Sequence, residues 1–471
     1  MKVKTLCYFD NDKGRDVEIL MPLLYYGEKY LNLEVEKAFI FDIDKIRRYK
    51  PDLVILANTI GSRNHHLIAK YAHENGIKVF ALVSEGNFRT DGTFNYWGYN
   101  TDKTFYQEYI CLWSKRTKQF LQSELPEYKD KIVVTGATGF DRYKIYDFES
   151  KESFLKRYGL EHFRKVIGYA GWAFGKLHNP NGLAELHEIY QEQAPGMIRW
   201  MHTQQQQVEN MLRHAIEQNP DILFILKRHP NEKHPHLTGR DNNEMINLAG
   251  YPNVLYLTDE EDVHTLIHIS DIWAGFETTT VIESWMMDEN RPTVFLNPDP
   301  LFSRDMNYQG TIVVSKADQW QQIIEEFYSK GRVDAMNTPE RKKARQKIIE
   351  NVVGYADGMN HIRAGYYLAR TLEHLPEKSP SKIKAKPLYV IRYLLMQIGK
   401  YFYAKPLFLK LPKFRKTVWI FERYKLKNIE PLKKKYFGYL DRFHRQHRIE
   451  EKIKSPDFWK SLLEENENRT T

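Results

Sequence analysis

Three short clusters in this chain combine side-chain types and backbone breaks that chemistry needs. The first is Ser84-Glu85-Gly86, directly after the apolar run at residues 79–83. A carboxylate at the end of a strand, beside a glycine that lets the chain bend, is placed to act as a general base. The same residues also suit a plain turn with a solvated acid. The second is Lys227-Arg228-His229-Pro230. Pro230 restricts the backbone before it, holding an imidazole between cations where it can donate to a phosphate oxygen; an ordinary surface turn is the alternative. The third is Gly275-Phe276-Glu277-Thr278-Thr279-Thr280, with Glu283 about a turn further on. Hydroxyls and unpaired amides at a helix start attract anions, and Glu283 is placed to reach ribose hydroxyls. The simpler reading is a threonine-capped helix.

Two glycine turns are further candidates for lining a site: Gly14 in DNDKGR after the first strand, and Gly171-Trp172 with Gly175-Lys176 beyond. Both also read as plain turns. His65 and His66 fall on a predicted helix and are expected at the surface. His234 and His236 match no common zinc spacing and have no partner cysteines, so neither metal nor cofactor is expected.

The elements that must hold these clusters alternate. Short apolar or β-branched runs at 3–9, 35–41, 53–57, 79–83, 110–113 and 132–134 form one set, with helices near 16–30, 63–75 and 115–124. Runs at 166–169, 223–227, 254–257, 272–274, 293–296 and 311–314 form a second, with a long helix at 197–218 and closing helices over 339–375. That alternation predicts an α/β protein with two tandem doubly wound, Rossmann-like domains, at residues 1–145 and 160–375, joined through the polar stretch 141–165. Ligands of such sheets sit outside the carboxyl ends of the strands, which is where all three clusters fall.

Size and composition agree: 471 residues exceed one core, and 42% hydrophobic with 28% charged residues is globular. Only Cys7 and Cys111 occur, both in strand-like runs, which fits a reduced, cytoplasmic compartment. The first ten residues are too polar for a signal peptide, and the apolar stretch 388–398 is short and contains Arg392. The net charge of +9 is concentrated after residue 375, where 24 Lys and Arg stand against 10 Asp and Glu. Residues 376–471 therefore read as a basic, aromatic-rich, mainly helical tail. It suits an anionic membrane surface, or else a helical face whose aromatics pack back on the body. No nucleic-acid module accompanies the charge.

The order of the motifs, Glu85-Gly86, then His229-Pro230, then Thr278-Thr279-Thr280, resembles that of bacterial surface-carbohydrate glycosyltransferases of the GT-B fold, particularly polysialyltransferases and capsule Kdo transferases. Ser84 stands where those families often carry a first acid. The resemblance implies a metal-independent transfer of a sugar from a nucleotide donor, a CMP-activated nonulosonic acid or Kdo-like sugar first, to a glycan or lipid-linked glycan acceptor. Glu85 would be the base, with His229, Pro230, Lys227, Thr278, Thr279, Thr280 and Glu283 on the nucleotide, and Gly14, Gly86 and Gly171 in the loops around it. CDP-glycerol glycerophosphotransferases share the His-Pro and threonine motifs, UDP-sugar transferases share the architecture, sugar-nucleotide 2-epimerases share it with a glycine-rich helix start where this chain has threonines, and a non-catalytic scaffold of a glycan-assembly complex is the alternative outside enzymology.

Overall fold

A computed structural model of the chain describes residues 2–59, 62–84, 86, 103–229, 232, 242–258, 261–299, 309–376, 382–403, 405 and 418–464. Glu85 and Pro230, and with them His234 and His236, lie outside the described residues. The chain divides into two compact units, Met1–Tyr146 with Glu350–Thr471, and Asp147–Ile349.

The first unit is built on a six-stranded parallel sheet of β1 (Val3–Phe9), β2 (Leu33–Phe39), β3 (Leu53–Leu56), β4 (Lys78–Ala81), β5 (Ile110–Leu112) and β6 (Ile132–Val134), in the order β2-β1-β3-β4-β5-β6. Its central strands are uninterrupted apolar runs because helices cover both faces; Leu53, Val54, Ile55 and Leu56 are all fully buried. Chain order reverses at β1, which pairs with β2 on one side and β3 on the other. Cys7 on β1 and Cys111 on β5 are buried free thiols.

The C-terminal helices belong to this unit, which corrects the expected boundaries. The helix Asn360–Leu372, expected to close the second domain, puts Ala364 and Leu368 into the first core. The supposed tail follows: Tyr389 and Met396 from the helix Pro387–Phe402 join the same core. Leu440 and Phe443 from Ile429–Gln446 pack with Tyr25 and Ile145, and Leu462 packs with Tyr26 and Ile362. Burial of these large side chains, each worth about 1.5–3 kcal/mol, outweighs any tendency of the basic segment to stand apart. A buried polar chain seals the junction: Asp141 accepts from His361 Nδ1 (2.8 Å), His361 Nε2 meets His444 Nε2 (2.7 Å), and His444 Nδ1 meets Tyr30 Oη (2.9 Å). With neutral rings every partner is satisfied when each proton points towards Asp141.

The second unit carries β7 (Lys165–Ala170), β8 (Ile222–Lys227), β9 (Val254–Leu257), β10 (Ile272–Gly275), β11 (Thr293–Leu296) and β12 (Ile312–Val314), all parallel, in the order β12-β11-β10-β7-β8-β9. Numbered within the unit this is the 3-2-1-4-5-6 order of a Rossmann-like domain, with its switch point between β7 and β10. The long helix Ala194–Gln218 buries Met197, Met201, Val208 and Leu212. Its two buried glutamines are bonded: Gln204 accepts from the Asp299 amide, and Gln205 meets His178 Nε2. Among the described residues no helix is long and apolar enough to cross a membrane.

Candidate functional site

In the second unit the register places Lys227 of β8 beside Ala170 of β7, and Ala170 beside Gly275 of β10. The segments containing His229, Gly171 and Thr278 therefore leave the sheet side by side at the switch point. Two glycines permit the crowding. A Cβ on Gly171 would lie 2.4 Å from Met245 Cε, and one on Gly275 would lie 2.4 Å from Thr278 Cγ2 and 3.1 Å from the Ala170 carbonyl.

His229 is largely buried, and desolvation followed by the Lys176 charge pushes its pKa from 6.5 down to about 4. It is a neutral imidazole at pH 7, able to donate one N–H. Lys227 is buried and its ammonium donates to the Thr258 carbonyl. Lys176 pairs with Glu185 at 2.8 Å. The Gly171 amide is spent on the Lys227 carbonyl.

The threonines form a small network at the start of the helix Thr280–Met287. Thr280 Oγ1 accepts from Trp273 Nε1 (2.8 Å) and is bonded to Thr278 Oγ1 (2.9 Å), which also accepts from the Thr280 amide. Thr279 holds the N-cap position with no side-chain cap bond, so the expected threonine cap is absent from it. Glu283 faces His264 Nδ1 at 3.2 Å.

Two acids here, Glu232 and Glu244, were not singled out from sequence, and a third, Glu277, stood in the third cluster without a role. Glu244, fully buried, accepts from Tyr169 Oη (3.1 Å) and the Trp172 amide (3.0 Å); burial and then the charge of Glu232 push it up to about 8. Glu232 accepts from the Gly175 amide (2.9 Å) and Asn243 Nδ2, and burial pushes it up to about 7. These carboxyls occupy the amides of Trp172 and Gly175 in the turns that the sequence offered as site-lining candidates. Glu277 is buried in the left-handed region at φ 48° and accepts from Asn297 Nδ2. A non-glycine residue held there stores strain of order 1–3 kcal/mol, a feature that clusters at functional sites.

In the first unit, Gly14 takes φ 91° ahead of the helix Arg15–Tyr30, a conformation natural only to glycine. A Cβ on Gly86 would lie 2.3 Å from the Trp113 ring, whose Nε1 donates to the Val83 carbonyl; packing alone requires that glycine. At the switch point beyond β1 the sequence reading of His65 is corrected. The ring is 2% exposed, bonded to Ser62 Oγ at 2.7 Å and 3.9 Å from Asp16. Desolvation pushes it down to about 4, while desolvation and then the Asp16 charge push neighbouring Asp10 up to about 6. The signal was present, because His65 shares the helical stripe of Ile68, Ala69 and Ala72. Among the described residues no group of three or more His, Cys, Asp or Glu is arranged to hold a metal.

No protein-family model matches the chain, and no curated protein matches it. Solved structures do. A UDP-N-acetylglucosamine 2-epimerase aligns with TM-score 0.52 at 14% identity, over 82% of this chain and 100% of that one. MnaA of S. aureus, solved with UDP, aligns with TM-score 0.51 at 15% identity over the same shares. A Listeria monocytogenes protein described as a candidate UDP-N-acetylglucosamine 2-epimerase gives 0.50 at 15%, again over 82% and 100%. At such identity the likeness speaks to architecture, and the chain has a GT-B-like fold: two Rossmann-like domains with a helical C-terminal region.

Proposed function

We propose that the chain is a sugar-nucleotide enzyme that takes its nucleotide at the β7/β10 switch point of the second unit. The observation that carries this reading is the row Lys227, Ala170, Gly275, which delivers His229, the two crowded glycines and the threonine helix start to one edge. A neutral His229 N–H, the partial positive charge of the helix start and the Thr279 hydroxyl supply donors for a phosphate oxygen. Glu85 is the proposed base for an acceptor hydroxyl where the reaction is a transfer. A uridine nucleotide is the first choice, since the aligned structures include one solved with UDP and proteins described as acting on a UDP-sugar. Epimerisation of a UDP-sugar then stands ahead of transfer. Transfer from a CMP-activated sugar to a glycan acceptor is the second reading, favoured by the order of the His229-Pro230 and threonine motifs.

A thermal-shift screen against UDP, CDP, CMP and GDP separates the readings, because a ligand at about 100 times its dissociation constant stabilises the native state by about 2.7 kcal/mol. Proton NMR of the matching sugar nucleotide in heavy water then distinguishes formation of a new epimer, with exchange at the carbon where inversion runs through deprotonation, from release of the nucleotide. No response to any nucleotide would refute the proposal and leave the scaffold.

A further inference from the structure

The helix Pro387–Phe402 is apolar on two opposite faces. One is seated on the first unit: Tyr389 and Met396 enter its core, and Arg48 and Arg392 stack 3.8 Å and 4.4 Å over the rings of Tyr393 and Phe41. The other carries Leu388, Ile391, Leu394, Leu395, Ile398 and Tyr401, each 52–72% exposed. Among the described residues, every exposed large apolar side chain lies on this helix. At 3.6 residues per turn the six fall within an arc of about 140°. They form a continuous ridge of the kind that marks an interaction surface rather than scattered surface residues.

The charges around the ridge say what covers it. Between residues 378 and 421 the sequence has eleven Lys and Arg and no Asp or Glu. Lys382 and Lys384 stand exposed before the helix and Lys405 after it. A second copy of the chain would bring the same cations against each other, whereas an anionic bilayer complements both the apolar ridge and the lysines. The helix, about 24 Å long, is shorter than the ~30 Å hydrocarbon layer and suits lying along its surface.

We propose that Pro387–Phe402 docks the protein on an anionic lipid bilayer, in the plane of the interface, with Leu388, Ile391, Leu394, Leu395 and Ile398 among the acyl chains and the flanking lysines at the headgroups. This goes beyond the sugar-nucleotide reading and does not rest on it. The test is flotation of the full chain with phosphatidylcholine vesicles, with and without about 30 mol% phosphatidylglycerol, at low and high salt. Wild type is expected on the anionic vesicles only, and to leave them at high salt. Ile391→Glu with Leu395→Glu should reduce the bound fraction about tenfold or more with an unchanged unfolding midpoint, because both positions are exposed. Ile391→Gln with Leu395→Gln should reproduce the loss without adding charge. Wild type that stays off anionic vesicles, or variants that bind like wild type, would overturn the proposal. So would a wild-type dimer that these substitutions turn into monomers, since the ridge would then be an interface between copies.

Discussion

Glu244→Gln should flatten the dependence of stability on pH. Glutamine keeps an acceptor for Tyr169 Oη and the Trp172 amide and removes the titration. In the folded protein the carboxyl is raised from 4.5 to about 8, and that of Glu232 from 4.5 to about 7. The folded state therefore keeps protons that the unfolded chain has released. The resulting stability is full below the unfolded value and is lost as pH rises through the folded one. At about 1.36 kcal/mol per unit, raising pH from about 6.5 to 8 costs on the order of 1–2 kcal/mol through Glu244 and about 1 kcal/mol or less through Glu232. His229, His65 and His444, lowered to about 4, about 4 and about 2, act with the opposite sign: unfolded histidine is still about half charged at the start of the window, so each returns a few tenths of a kcal/mol as pH rises, equally in wild type and variant. Urea unfolding followed by tryptophan fluorescence reports both units, with Trp172, Trp200, Trp273, Trp285 and Trp320 in the second. Across the window wild type should lose on the order of 1–2 kcal/mol more than Glu244→Gln. Parallel slopes would refute the raised carboxyl.

Three further outcomes are expected. Gly86→Ala drives a methyl to 2.3 Å from the Trp113 ring and should cost about 1–3 kcal/mol by overpacking, read as a lower melting temperature; an unchanged one would mean the loop relaxes freely. Glu85→Gln should abolish sugar transfer while leaving the nucleotide-induced thermal shift intact, and His229→Ala should shrink that shift; a Glu85→Gln enzyme still active in transfer would remove the base. Truncation before residue 376 should leave the first unit unable to fold, because Tyr389, Met396, Leu440 and Phe443 go with it; a soluble, nucleotide-responsive fragment would contradict the packing.

Much of the architecture is legible in the sequence because parallel strands buried on both faces are written as unbroken apolar runs. The runs at 3–9, 132–134, 254–257 and 293–296 coincide with the observed strands to the residue. Ownership of the C-terminal helices is not written that way. The periodicity of 360–372 announces a helix but carries no record of which sheet it covers, and the partners of His361 lie 83 and 220 positions away. Glu232 and Glu244 sit in a polar stretch with no period, so only the folded chain shows their carboxyls on the loop amides of Trp172 and Gly175. Glu277 is invisible for a different reason, since its left-handed backbone is imposed by the switch point and has no signature in its residue type.

The chain leaves its first unit at Tyr146, completes the second between Asp147 and Ile349, and returns at Glu350. During synthesis the portion encoded in the middle has all its own strands as soon as β12 and the helix behind it have emerged. The portion begun earlier must wait for Ile429–Gln446 and Leu462 before Tyr25 and Tyr26 are covered. Maturation therefore runs opposite to the reading order, with the inserted unit finished first. The opening unit, whose closing contacts span more than 400 positions, carries the slow, high-contact-order step and the greater exposure to aggregation on the way.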